Sequence, residues 1–334
     1  PARLAGLGAA TAGGKPVMAS SSTKAKDFRI GSQARRNHRA KRRDPRRGIR
    51  ALGAAGIGAS SINGASDRLG GRTRFALLAG LVILHLGCAS PTERFDDAAQ
   101  DLGFSHYVVA GRDFDHVVYY REEIAPGGNL HVYFAGDAHP GRALRWTPPD
   151  PTPGPTLLEL VALDPGPSVL LGRPCAHRAG RCAEAAAWTT HRYGQEVVTS
   201  LEEALQDVRA RHPHEGLVLI GHSGGGTLAM LLAERIPSVR GVVTLAGNLD
   251  TAAWAAHHGY PEPAGTLNPA LRPPLAVPQL HLLAAKDRVV PPTLVSRAID
   301  RQPGARARNF PSFDHSCCWA SIWRGVVEEL RSQL

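Results

Sequence analysis

The 334-residue chain is poor in methionine, with only Met18 and Met230, and aromatics make up just 6% of it. Its core must therefore be built mainly from aliphatic side chains, and a 43% hydrophobic content is ordinary for a globular protein. The apolar run Phe75–Leu86 is too short for a comfortable membrane span. None of the 15 histidines falls in a His-Glu-x-x-His pattern, which disfavours a zinc hydrolase. No internal repeat is evident, which leaves one large domain or two small ones. Basic charge is missing from the body of the chain. The net +10 arises because residues 1–74 carry 17 Lys/Arg against 3 Asp/Glu, while the remainder is at −4. The body thus has no electrostatic footprint for nucleic acid, and no such partner is expected.

Residues 1–71 hold a single aromatic, Phe28, a basic run over 35–50 and a Gly/Ala/Ser-rich stretch after it. That composition cannot bury enough surface to offset chain entropy, so a disordered extension is expected. Residues 72–88 differ. Arg72 and Arg74 precede the run Phe75–Leu86, and Gly87-Cys88 closes it. Basic, apolar and small residues in that order form the layout of an export signal, with translation expected to start near Leu69 at a non-Met codon or, alternatively, the long extension tolerated ahead of it. Four further cysteines, Cys175, Cys182, Cys317 and Cys318, are disulfide candidates in an exported chain, with pairing left open.

From residue 89 the composition turns globular. A short helix is predicted over Phe95–Leu102, strands over Tyr107–Ala110, His116–Tyr120, Asn129–Ala135 and Ser168–Leu171, and a helix over Thr156–Ala162. Val197, Val198, Leu201, Leu205 and Val208 lie on one face of a helix over Gly194–His212. Later strands are predicted over Val239–Leu245, Gln279–Ala285 and Arg306–Phe310, and a closing helix over Ser316–Leu334. Strand and helix alternate, which calls for an α/β fold with a mostly parallel sheet and helices on both faces. Residues 248–279 lack a clear period and are expected to form a small, loop-rich cap.

The chain is organised around Leu217–Leu232. Four apolar residues lead into Gly221-His222-Ser223-Gly224-Gly225, and a second apolar run follows. A sharp strand–turn–helix crowds its central residue, and Gly221 and Gly225 remove the Cβ atoms that would clash. Ser223 would then stand exposed at a helix N-terminus, where amides and the helix dipole favour a developing anion. A serine hydroxyl needs a base, and the base needs an orienting carboxylate. Asp287 and His315 each follow a predicted strand, where chemistry gathers in open α/β sheets. Asp250 is the rival acid, and chain position favours Asp287. Oxyanion donors are expected from the Gly224 amide and from Asp137 or Ala138 after the Asn129–Ala135 strand. His131, His222, His257 and His258 read as structural or solvated, and Asp314 as solvent-facing.

Over about Tyr107–Leu334 the chain resembles the α/β-hydrolase fold family. The residues that carry this are Gly-His-Ser-Gly-Gly at 221–225, Asp-Arg-Val-Val-Pro at 287–291 and Phe-Asp-His at 313–315. Gly-Arg-Pro-Cys at 172–175, Ala-Gly-Asn-Leu-Asp at 246–250 and Asp-His-Ser-Cys-Cys-Trp at 314–319 narrow it to uncharacterised bacterial α/β-hydrolase lipoproteins. Ala-Gly-Asp-Ala at 135–138 departs from the His-Gly-Gly run of many lipases and esterases. The resemblance implies an acyl-enzyme hydrolase with no cofactor and no metal, acting on a small ester-like substrate. It also implies a monomer exported to the cell envelope and attached to the membrane through a lipidated Cys88. Two alternatives remain: a peptidase of prolyl-oligopeptidase type, since three glycines follow Ser223, and a catalytically silent envelope-binding lipoprotein.

Overall fold

A computed structural model describes residues 89–122, 127–138, 150–182, 185–262 and 265–333. The predicted extension and the signal-like segment with Cys88 lie outside the described residues.

Helix α1 (Pro91–Asp101) begins earlier than its apolar residues suggest, because Ser90 and Glu93 form a capping box. The Ser90 hydroxyl accepts from the Glu93 amide at 3.2 Å, and the Glu93 carboxylate accepts from the Ser90 amide at 2.6 Å. Strands β1 (Ser105–Ala110) and β2 (Asp115–Tyr120) form an antiparallel hairpin. After them the expected alternation sets in, with β3 (Asn129–Phe134), α2 (Thr156–Leu163), β4 (Ser168–Leu171), α3 (Gln195–Arg211), β5 (Gly216–His222) and α4 (Gly224–Arg235). β6 (Val239–Leu245), α5 (Thr251–His257), β7 (Gln279–Ala284), α6 (Pro292–Asp300), β8 (Ala305–Phe310) and α7 (Ala320–Gln333) complete the chain.

The eight strands form one sheet in the order β1-β2-β4-β3-β5-β6-β7-β8. β2 meets β4 antiparallel, and every pairing from β4 to β8 is parallel. Successive strand residues point to opposite faces, and two apolar layers result. Leu130, Val132, Leu217 and Leu219 join α3 and α4 on one face. Tyr133, Val218 and Ile220 join Phe95 of α1, Leu158 of α2 and Trp323 of α7 on the other. A sheet covered on both faces suits the near-continuous apolar strands β5 and β6.

Two further differences from the sequence expectation concern the region after β6 and the start of α7. Residues 248–279, expected as a loop-rich cap, are not purely loop. Asp250 caps α5 by accepting from the Ala253 amide at 3.1 Å, which supplies a start signal for a helix too short to show a period. α7 begins four residues later than predicted. The Asp314 carboxylate accepts from the Ser316 and Cys317 amides at 3.0 and 2.8 Å, which holds that segment in a turn. The disulfides join Cys175 to Cys182 and Cys317 to its neighbour Cys318. Among the described residues no helix is long and apolar enough to cross a membrane.

Candidate active site

β5 delivers Ser223 to the carboxyl edge of the sheet in a left-handed conformation, with φ 53° and ψ −120°. That strain is held by backbone bonds: the Ser223 amide donates to Leu245 O at 2.9 Å, and its carbonyl accepts from Gly226 and Asn248 at 3.0 Å each. The two elbow glycines are needed as expected. A Cβ on Gly221 would lie 2.2 Å from Gly225 O, and one on Gly225 would lie 2.0 Å from Phe134 O. Gly225→Ala should push α4 off β3 and cost about 3 kcal/mol or more, read as a drop in thermal midpoint. An unchanged midpoint would contradict this packing.

Asp287 lies in the turn after β7, with its side chain fully buried. One carboxylate oxygen accepts from the Val289 and Val290 amides at 2.8 Å each, and the other is 2.8 Å from His315 Nδ1. His315 must therefore carry its proton on Nδ1, which leaves Nε2 free as an acceptor. Its side chain is 15% exposed, open enough to meet a ligand. Two donors fix the His315 carbonyl, His222 Nε2 at 2.8 Å and Trp319 Nε1 at 3.2 Å. The His222 and His315 rings lie 4.9 Å apart. Because His222 precedes Ser223, this contact brings His315 to the elbow. Among the described residues no group bonds the Ser223 hydroxyl, and such bonds often tighten only when substrate binds.

Burial pushes the His222 imidazole down to about 4, and the neighbouring His315 adds to the shift. His222 is thus neutral near pH 7, and it has a structural role in pinning the His315 backbone. His131 is also structural, 2.7 Å from Asp164 and buried. Asp250 is occupied as a cap, accepting from Ala253 and from Asn268 Nδ2 at 2.9 Å, and it is Asp287 that pairs with His315. In α5, Trp254 Nε1 donates to Val289 O at 2.8 Å, as does His258 Nε2 just beyond it. α5 is thereby tied to the turn that carries Asp287.

The loop after β3 presses on the elbow. A Cβ on Gly136 would lie 3.0 Å from the Ser223 Cβ. The loop that carries Asp137 and Ala138 therefore packs directly on the serine. The Asp137 side chain, however, is buried against Arg173, Arg192 and Tyr193. The sequence reading missed all three partners. Only the Gly-Arg-Pro-Cys motif hinted at Arg173, and nothing local marks Arg192 or Tyr193. A separate groove of about 750 Å³, lined by Phe104, Arg121, Asp164 and Ser168, opens by the amino end of β4, at the other edge of the sheet from Ser223.

A mostly parallel sheet with an antiparallel edge and a strained serine between β5 and α4 defines a hydrolase-type fold. Residues 176–280 match the family model described as the alpha/beta hydrolase fold, and the chain has that fold. It is similar to the Pyrococcus furiosus esterase Pf2001, with TM-score 0.50 and 12% identity over 74% of this chain and 95% of that one. It is also similar to the naproxen esterase (carboxylesterase NP) of Bacillus subtilis, with TM-score 0.49 and 15% identity over 74% and 99%. The acylaminoacyl peptidase of Pyrococcus horikoshii aligns with TM-score 0.47 and 13% identity over 68% of this chain and 40% of that one. At such identities the likeness is one of fold. No curated protein sequence matches the chain.

Proposed function

We propose that the chain is a serine hydrolase that cleaves an ester-like bond through an acyl-enzyme on Ser223. The observation that carries this reading is the Asp287–His315 bond of 2.8 Å at the elbow where Ser223 is held left-handed. His315 Nε2 would take the Ser223 proton as Oγ attacks the ester carbonyl, and Asp287 would hold the tautomer and stabilise the imidazolium. The oxyanion would be met by the Gly224 amide and that of Asp137 or Ala138. Collapse breaks the ester C–O bond, and the alkoxide leaves with the proton from Nε2. Water activated by His315 then hydrolyses the acyl-enzyme, which releases the acid and restores the Ser223 hydroxyl. The chemistry needs no cofactor.

Export to the cell envelope, with Cys88 as a lipid anchor, belongs to the same proposal. It is supported by the signal-like order of residues 72–88 and by two disulfides, which suit an oxidising compartment.

The test is the intact mass of the purified chain after treatment with a fluorophosphonate. Wild type should gain one adduct and Ser223→Ala none. A folded wild type that stays unlabelled and hydrolyses none of a p-nitrophenyl ester series would sink the proposal, and would favour the envelope-binding alternative.

A further inference from the structure

A carboxylate beside an oxyanion hole is a liability, because its charge opposes the negative charge that develops on the substrate oxygen. Asp137 stands in that place. A Cβ on Gly224 would lie 2.6 Å from Asp137 Oδ1 and 2.2 Å from Tyr193 Oη. The charge is more than balanced. Arg173 donates to Oδ1, and Oδ2 accepts from Arg192 Nε at 3.0 Å and from Tyr193 Oη at 2.7 Å. Two guanidiniums on one carboxylate leave the buried cluster with one net positive charge.

The cluster's partners are themselves fixed from distant parts of the chain. Arg173 follows β4 and precedes the Cys175–Cys182 loop, while Arg192 and Tyr193 lead into α3. Arg192 Nη1 donates to Thr189 O at 2.6 Å, and its guanidinium lies over the Tyr193 and Trp254 rings at 5.0 and 5.6 Å. Arg173 lies 5.5 Å from the Tyr193 ring centroid. On its other side the carboxylate belongs to the loop whose Gly136 packs on Ser223, and it rests on the first residue of α4.

We infer that the Asp137 carboxylate, clasped by Arg173, Arg192 and Tyr193, is a positioning group that sets the spacing between the two amides of the oxyanion hole. This rests on the hydrolase reading. The clasp is stable across the working pH range. Burial raises the Asp137 acid, but the two guanidiniums and the Tyr193 hydroxyl outweigh it and hold the pKa at about 2. Burial, with Asp137 adding to it, pushes Tyr193 up to about 12, so its hydroxyl remains a donor.

The test compares wild type with Asp137→Asn and Tyr193→Phe on a p-nitrophenyl ester, with kcat and KM resolved. The affinity of phenylboronic acid, which forms a tetrahedral adduct on an active serine, is measured alongside. Asp137→Asn should lower kcat about 10²-fold, the order seen when one oxyanion donor is lost, and leave KM within about twofold. Boronate affinity should fall by a similar factor. Tyr193→Phe, which removes a single hydroxyl from the same clasp, should lower kcat and boronate affinity together by about tenfold. It carries the test alone if Asp137→Asn does not fold. Folded variants with a lowered thermal midpoint but unchanged kcat and boronate affinity would overturn the inference. A wild type without Ser223-dependent turnover would overturn the hydrolase reading and this inference together.

Discussion

Asp287→Asn should lower kcat/KM about 10⁴-fold without unfolding the chain, the loss typical when the orienting acid of a serine triad becomes an amide. The reason lies in the hydrogen bonds already made by Asp287. The Val289 and Val290 amides both donate to Oδ1, so an asparagine must keep its oxygen there. Its NH₂ then faces His315 Nδ1, a donor against a donor. The imidazole can escape only by moving its proton to Nε2, which removes the lone pair that should accept from Ser223. Asp250→Ala should behave in the opposite way. Asp250 caps α5 and accepts from Asn268, so its loss should cost about 1–2 kcal/mol of stability and leave kcat near wild type. Steady-state ester hydrolysis and denaturant titration of both variants would check the pair. If Asp250→Ala proved the inactive one, the assignment of the acid would be wrong.

That the pairing of Asp287 with His315 could be anticipated from the sequence, and the Asp137 clasp could not, has a physical reason. Ser223 directly follows β5, and Asp287 and His315 lie in the turns after β7 and β8; β5 and β7 announce themselves as apolar runs, whereas β8 (Ala-Arg-Ala-Arg-Asn-Phe) is marked by alternation alone. The elbow is local as well, since two glycines four residues apart dictate the turn. The clasp is made by residues from three separate connections: the β3 exit, the β4 exit and the approach to α3. No period or spacing links Asp137 to Arg173 or Tyr193, and a buried arginine reads in sequence like a solvated one. α5 was hidden for a related reason. Thr251–His257 is two turns long and rich in alanine, so the Asp250 cap and the Trp254 bond to Val289 hold it in place more than any amphipathic stripe. His222 read correctly as structural, but its partner, the His315 carbonyl, lies 93 residues away.

The fold should also lose stability steeply as pH falls from 6.5 toward 4.5. Four histidines are buried in it as neutral rings. His116 is held between Gly172 O and Ser200 Oγ at 2.9 Å each, His177 meets Tyr119 Oη at 3.1 Å, and His281 meets Thr244 Oγ1 at 2.8 Å. His222 is the fourth. Burial pushes His116, His222 and His281 down to about 4, and His177 to about 3. In the unfolded chain each would titrate near 6.5. The folded values lie below the unfolded ones, so the unfolded state binds protons first. Stability is therefore intact above pH 6.5 and is lost as pH falls toward the folded values. A shift of this kind corresponds to about 3 kcal/mol per ring, reached in full only below the folded values. Urea titrations at half-unit steps should show a flat plateau above pH 7 and an uptake of more than one proton on unfolding between pH 6 and 5. His281→Gln should make that slope shallower, and a wild-type slope below one proton would contradict the burial of these rings as neutral groups. The same four rings complicate any pH–rate profile. A fall in kcat/KM at low pH is assigned to the active site only if far-UV circular dichroism at each pH shows the chain still folded. Where the two signals fall together, the buried histidines are the cause.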